Sequence, residues 1–371
     1  MLLRILLAIA GIAVLCVVYG VFVERRAFRL VRRDLAILPA DGPEALTVLH
    51  LSDLHVVRLD RRKATFLASL PAADVTVVTG DFLAEPEAVE AAVAAVRPTR
   101  GRLASWFVLG SNDYYVPRPK NPIRYFLPQH RRTPRRARRG RANELRTMLT
   151  ADGWRDLTNL PDELDLDGLP VELLGLADAH IGRQDLRVAP RGAPSAFGIA
   201  VMHSPDSAPE IVACGYRFLV AGHTHGGQVR FPLIGALVTN SHLPRRLVSG
   251  LIRLGDSFLH VSPGLGTSKY APFRFLCPPE ATLLELRPAR ADQGPARSKN
   301  ADSSRTSRAT RPRSPSMPRN RSGVGMRSSA SAGLTIGSSS PTVRANGDRA
   351  DSRRSDTGSR MRWMIAPWPA P

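Results

Sequence analysis

The chain has 371 residues, with 52 lysines and arginines against 32 acidic residues, a formal net charge of +20 and 43% hydrophobic residues. That apolar content excludes a wholly disordered chain, and the isolated Cys16, Cys214 and Cys277 exclude a disulfide framework or a cysteine-based zinc knuckle. The charge is unevenly spread: residues 288–371 hold sixteen basic against five acidic residues and 118–141 hold ten basic and no acidic ones, so the body is near neutral.

Ile5 to Val23 is an uncharged apolar run of 19 residues, and a helix of that length covers roughly 28 Å, about a bilayer core. Glu24-Arg25-Arg26 follows it in place of a small-residue cleavage site, and Leu15 precedes Cys16 where a lipoprotein signal needs a small residue. Residues 1–24 are therefore expected to be a single-pass anchor in the cell membrane, with 25–43 as a basic linker. Arg4 alone precedes the run, whereas Arg25, Arg26, Arg29, Arg32 and Arg33 follow it, an asymmetry that puts the following domain on the cytoplasmic side.

Residues 44–287 read as one α/β domain of about 245 residues, enough for a sizeable core. Leu46 to Leu51, Val75 to Thr79, Trp106 to Leu109, Phe197 to Val201 and Phe218 to Ala221 are short, β-branched apolar runs expected as buried strands. Arg61 to Leu70, Glu85 to Val96 and Asn143 to Ala151 carry helical periodicity. Leu164 to Leu176 reads as a hairpin around Gly168, and Phe258 to Val261 and Thr282 to Leu286 as later strands. The mixture predicts a two-sheet β-sandwich flanked by helices. The loop at 117–142 combines prolines and arginines around Tyr125-Phe126-Leu127, and is read either as a lip for an anionic membrane surface or headgroup or as a solvated charged loop. From 288 onward the Arg, Ser and Pro-rich composition fits a disordered tail.

Each predicted strand ends in polar residues with ligand chemistry. They are Asp53-Leu54-His55, Gly80-Asp81, Gly110-Ser111-Asn112-Asp113, His203 and Gly222-His223-Thr224-His225-Gly226-Gly227-Gln228. Strand-to-loop junctions at one edge of an α/β sheet are where that architecture collects its site. Carboxylates, an amide and imidazoles together suit a pair of divalent ions, of Mn, Fe, Zn or Co type, better than Ca²⁺.

In order and spacing this series resembles the calcineurin-like metallophosphoesterase superfamily, with its D-x-H, G-D, G-N-H-D/E, H and G-H-x-H motifs. The Gly-His-Thr-His-Gly-Gly-Gln segment and the amino-terminal run make it most similar to the bacterial membrane-anchored phosphodiesterase branch. The resemblance implies a metallophosphoesterase-like sandwich. It further implies that Asp53, His55, Asp81 and His225 hold one ion and Asp81, Asn112, His203 and His223 the other, Asp81 bridging. Attack by solvent oxygen without a covalent phosphoenzyme follows from the same family chemistry.

One motif departs from the family: Gly110-Ser111-Asn112-Asp113 lacks the histidine thought to assist the leaving group. Sliding the turn by one residue puts Asn112 on the metal and Asp113 beside the leaving group, which makes Asp81, Asn112, Asp113 and His203 the expected catalytic residues. His50, His130, His180, His242 and His260 fall outside the series, with His180 the foremost omission. The expected function is hydrolysis of a phosphodiester or pyrophosphate bond in a phosphorylated, lipid-linked or envelope-precursor substrate. Two alternatives stand beside it: a metal-dependent nuclease whose basic loop tracks nucleic acid, and a non-catalytic membrane-tethered binding protein.

Overall fold

The computed structural model describes residues 1–119 and 137–289 of the chain. Most of the basic loop and nearly all of the carboxy-terminal stretch expected as disordered, together with His130, lie outside the described residues.

A helix opens the chain as α1, Leu2–Val18, and continues through tighter and wider turns to Arg26. Leu2–Arg26 is 25 residues long with a mean hydropathy of 2.8, long and apolar enough to cross a membrane. Next come β1 (Arg29–Leu38), β2 (Leu46–Leu51), α2 (Arg61–Ala68), β3 (Val75–Val78), α3 (Val89–Val96), β4 (Ala104–Phe107), α4 (Ser111–Tyr114), α5 (Ala142–Ala151) and β5 (Arg155–Asp156). The second half supplies β6 (Pro161–Leu166), β7 (Leu169–Leu176), β8 (Phe197–Met202), α6 (Ala208–Ala213) and β9 (Phe218–Ala221). It closes with β10 (Arg230–Phe231), β11 (Gly235–Ala236), β12 (Gly250–Leu254), β13 (Ser257–Val261) and β14 (Glu280–Pro288).

Two six-stranded sheets result, ordered β1-β14-β2-β3-β4-β5 and β12-β13-β9-β8-β7-β6. Strands β2, β3 and β4 are parallel in the first, as are β7, β8 and β9 in the second. Val48, Val77, Trp106 and Leu284 of the first sheet meet Val171, Ile199, Val201 and Val220 of the second in the inner core. Helices α2, α3 and α5 cover the outer face of the first sheet through Leu67, Val93 and Leu145, and α6 covers that of the second through Ile211. The sandwich flanked by helices is the architecture expected from the strand and helix patterns.

The amino-terminal boundary differs from expectation. Residues 25–43 are not a linker, because β1 pairs in parallel with β14 from Arg29↔Glu280 onward. Leu35, Ile37 and Leu38 enter the inner core while Arg29 bonds the Glu280 carboxylate at 2.8 Å. Arg29, Arg32 and Arg33 conceal an edge strand whose buried side chains are confined to its last half.

Candidate metal centre

The parallel strands deliver their following loops to one edge of the sandwich, and the donors collect there. β2 leads to Asp53 and His55, β3 to Asp81, β4 to Asn112, β7 to Asp178, β8 to His203 and β9 to His223 and His225. Ligand atoms of Asp53, His55, Asp81 and His225 lie within 4.8 Å of one another, as do those of Asp178, His203 and His223. Asp81 stands between the groups, with Oδ2 at 3.6 Å from His55 Nε2 and Oδ1 at 3.6 Å from His203 Nε2. The first group is the set expected for one ion. In the second, Asp178 takes a place that the motif series does not mark.

The loops are held in conformations that ordinary residues avoid. Asp53 (φ 46°), His55 (φ 43°), Asp81 (φ 55°), His223 (φ 69°) and His225 (φ 52°) all occupy the left-handed region, strain of a kind that gathers at functional sites. Gly80 (φ 90°) precedes Asp81 where a Cβ would lie 2.6 Å from Gly110 N and 2.8 Å from His203 Nδ1. Only glycine lets those three loops approach. Beneath them Lys63, 4% exposed, donates its ammonium to the carbonyls of Leu54 and His55 and pairs with Asp60 at 2.8 Å.

Backbone carbonyls orient the second group. His203 Nδ1 donates to Thr79 O at 2.6 Å and His223 Nε2 to Asn240 O at 3.1 Å. Each ring is thereby oriented from behind, with His203 Nε2 and His223 Nδ1 facing each other at 3.3 Å. In the first group His55 Nε2 and His225 Nε2 stand 3.2 Å apart. Asp178 is fully buried and its Oδ2 makes no hydrogen bond. Converging imidazole nitrogens beside a buried, unsatisfied carboxylate are what a bound cation would satisfy.

Electrostatics agrees with that fit at three of the four imidazoles. Burial, the largest influence on each, drives His55 down to about 3 and lowers His223 and His225, leaving them neutral as ligand imidazoles must be. Burial also pushes the Asp81 carboxyl up, but His203, His55 and the Asn112 N–H overcome it and hold it well below the usual range. At His203, burial is outweighed by Asp81, Asp178 and Asp53, and the imidazole rises to about 9.

Asn112 lies on the Asp81 carboxylate: its amide N–H donates to Oδ2 at 2.6 Å and its backbone N–H to Oδ1 at 2.8 Å. Asp113, expected beside the leaving group, turns its carboxylate to backbone N–H groups. It is fully buried, accepting the N–H groups of Gly110 (2.9 Å), Asp81 (3.0 Å) and Leu83 (3.2 Å), and this clamps the α4 turn to the Asp81 loop. Burial and the neighbouring Asp81 push it up to about 7, against the pull of the Gly110 N–H.

Of the other histidines, His50 and His260 form a buried pair joining the sheets, Nδ1 to Nδ1 at 2.8 Å, behind the centre. His180 lies with its ring 4.5 Å from that of His223. It and His242 help line a cleft of about 460 Å³ with Gln184, Asp206 and Glu210. Asp178 sits between the end of β7 and His180, so the strand-end logic that singles out His180 passes over a candidate donor two residues earlier.

A sandwich whose strand ends converge on two adjoining carboxylate and imidazole groups defines a protein built for a two-ion centre. Residues 46–227 match the calcineurin-like phosphoesterase family, and the chain belongs to the calcineurin-like metallophosphoesterase superfamily, which uses two divalent metal ions. It is similar to the uncharacterized metallophosphoesterase YkuE of Bacillus subtilis, 31% identical over 38% of this chain and 50% of that one. It is also similar to the phosphodiesterase YaeI of Escherichia coli, 33% identical over 31% of this chain and 41% of that one. A Bos taurus transmembrane protein with a metallophosphoesterase domain is 28% identical over 66% of this chain and 54% of that one. The matches thus span about half the length of these relatives.

Proposed function

We propose that the chain is a membrane-anchored phosphohydrolase that cleaves a phosphodiester or pyrophosphate bond at a two-ion centre, acting on a lipid-linked or envelope-precursor substrate from the cytoplasmic face. One observation carries the chemistry: Asp81 lies within 3.6 Å of an imidazole nitrogen in each donor group, the position of a shared ligand. Divalent ions held there would polarise phosphoryl oxygens and acidify water.

The chain's own residues set that centre up. Asp53 is oriented by Ser52 Oγ at 2.6 Å and by the His223 N–H at 2.9 Å, so its free lone pairs point to the first group. Thr79 and Asn240 fix the His203 and His223 tautomers from behind. Asn112 would be the second group's amide donor, in reach of Asp81. Neither Asp113, sealed by three backbone bonds, nor any motif histidine protonates a leaving group, which favours substrates whose leaving group departs as an anion.

Turnover of a chromogenic phosphodiester by the full chain in detergent tests this function. Activity should vanish with chelator and return with Mn²⁺ or Zn²⁺. Turnover that persists after complete metal removal would reject it.

A further inference from the structure

The end of the amino-terminal helix is locked onto the domain, not tethered to it. A Cβ on Gly20 would lie 2.3 Å from the Phe273 ring and 2.5 Å from Arg274 O, and Arg274 N–H bonds Gly20 O at 3.3 Å. Glu24, 3% exposed, accepts the N–H groups of Leu276 (2.9 Å) and Cys277. Arg29 then enters β1 directly. The direction in which the helix leaves the domain is therefore set by packing.

A chain of rings runs from that helix to an exposed hairpin. Tyr19 meets Phe275 edge-on at 6.5 Å, and Phe275 meets Phe231 at 6.1 Å. Phe231 opens the β10–β11 turn, Phe231-Pro232-Leu233-Ile234, whose side chains point to solvent: Phe231 is 41%, Leu233 93% and Ile234 55% exposed. Leu276 beside them is 50% exposed. Leu233 also takes φ 67°, a conformation costly to a bulky side chain. Arginines stand at the base: Arg246 bonds Leu233 O at 3.3 Å, Arg245 accompanies it, and Arg25 and Arg26 lie at the helix end.

Depth decides what covers this tip. From Leu2 to Tyr19 the helix rises about 26 Å, close to the thickness of a bilayer core, so Tyr19 falls at the boundary where aromatic side chains settle. The ring contacts hold the hairpin at the same level. An apolar tip with a basic collar is the amphipathic arrangement that inserts among anionic headgroups.

We propose that the Phe231–Ile234 hairpin is a second membrane-contact element, inserted at the headgroup boundary of the anionic bilayer that Leu2–Arg26 crosses. The proposal rests on Leu2–Arg26 being a membrane span. Its consequence reaches the metal centre, because Gln228 N–H bonds His225 O at 2.9 Å on one side of the hairpin and Asn240 O holds His223 on the other. Helix and hairpin together seat that centre at the bilayer surface, within reach of the phosphoryl groups of membrane lipids.

Brominated-lipid quenching in vesicles of phosphatidylcholine and phosphatidylglycerol tests the hairpin and the span separately. The full chain carries Leu233→Trp in one variant and Leu7→Trp in another, with metal content reporting an intact fold. The fluorescence added by Leu233→Trp should fall by about half with bromines near the headgroup, as for an interfacial side chain, and that added by Leu7→Trp with bromines deep in the acyl chains. Quenching of Leu7→Trp without quenching of Leu233→Trp would overturn the hairpin proposal and leave the anchor standing. An unquenched, blue-shifted Leu233→Trp that accompanies self-association would overturn it in favour of a second copy. Absence of quenching in Leu7→Trp would remove the span, and the proposal with it.

Discussion

Replacing Asp178 with asparagine should stabilise the metal-free protein and weaken the metal-loaded one, two effects of opposite sign from one atom pair. The side chain is fully buried; its Oδ1 accepts the His180 N–H at 2.7 Å, which the amide oxygen preserves, while Oδ2 stands unbonded 3.9 Å from His203 Nε2. Burial, reinforced by Asp81 and Asp53 against the counter-pull of His203, raises the carboxyl from 3.8 to about 6. At about 1.4 kcal/mol per pH unit, that penalises the folded apoprotein by about 3 kcal/mol at neutral pH. Because the folded-state value is raised, the penalty is absent below the unfolded value near 3.8 and grows as the pH rises towards 6. Asp178→Asn should therefore lift the apoprotein melting temperature by about 8 °C at pH 7, an advantage that fades as the pH falls from 6 to 4. With Mn²⁺ present the order should reverse, the variant binding the second ion at least about tenfold more weakly. Melting in detergent micelles, with chelator and with metal, reads both. A variant that keeps two ions per chain and gains nothing in the apo state would refute Asp178 as a donor.

Further predictions follow from other residues. Arg274, fully buried, donates to the carbonyls of Cys277 (3.0 Å), Pro263 (2.7 Å), Gly264 (3.1 Å) and Gly266 (2.7 Å), and Gly266 N–H bonds Asp53 O; Arg274→Met should cost about 3 kcal/mol, read as a lower melting temperature. Asn112→Ala should lose the second ion while Ser111→Ala keeps both, as metal analysis would tell; the opposite pattern would give the ligand role to Ser111. Rates across a series of phosphodiesters should fall steeply as the leaving-group pKa rises, because three backbone N–H groups occupy the Asp113 carboxylate; flat rates with chemistry rate-limiting would mean that an unrecognised acid serves the site.

The strands that carry the centre were legible because each is a short β-branched run buried on both faces. Leu46–Leu51 and Phe218–Ala221 appear with the expected bounds, and the others within a few residues. Strand β1 was hidden because Arg29, Arg32 and Arg33 decorate an edge whose buried side chains begin only at Leu35. Asp178 was hidden for a different reason: in Asp178-Ala179-His180 the histidine draws the attention, and only the fold brings β7 beside β8. The slid register that sets Asp113 beside the leaving group takes no account of the backbone N–H groups that claim its carboxylate, because these meet it only once the β3 and β4 loops come together. The apolar hairpin carries no periodic signal in its two-residue strands, and Lys63 sits inside an amphipathic helix as an ordinary polar residue would.

The central claim is that Asp81 joins two ion sites into one hydrolytic centre, and metal stoichiometry measured alongside phosphodiester turnover for wild type and Asp81→Ala tests it most directly. The wild-type chain should bind two divalent ions and turn over, and Asp81→Ala should lose both the metal occupancy and the activity. An Asp81→Ala protein that retains two ions and wild-type turnover would contradict the account.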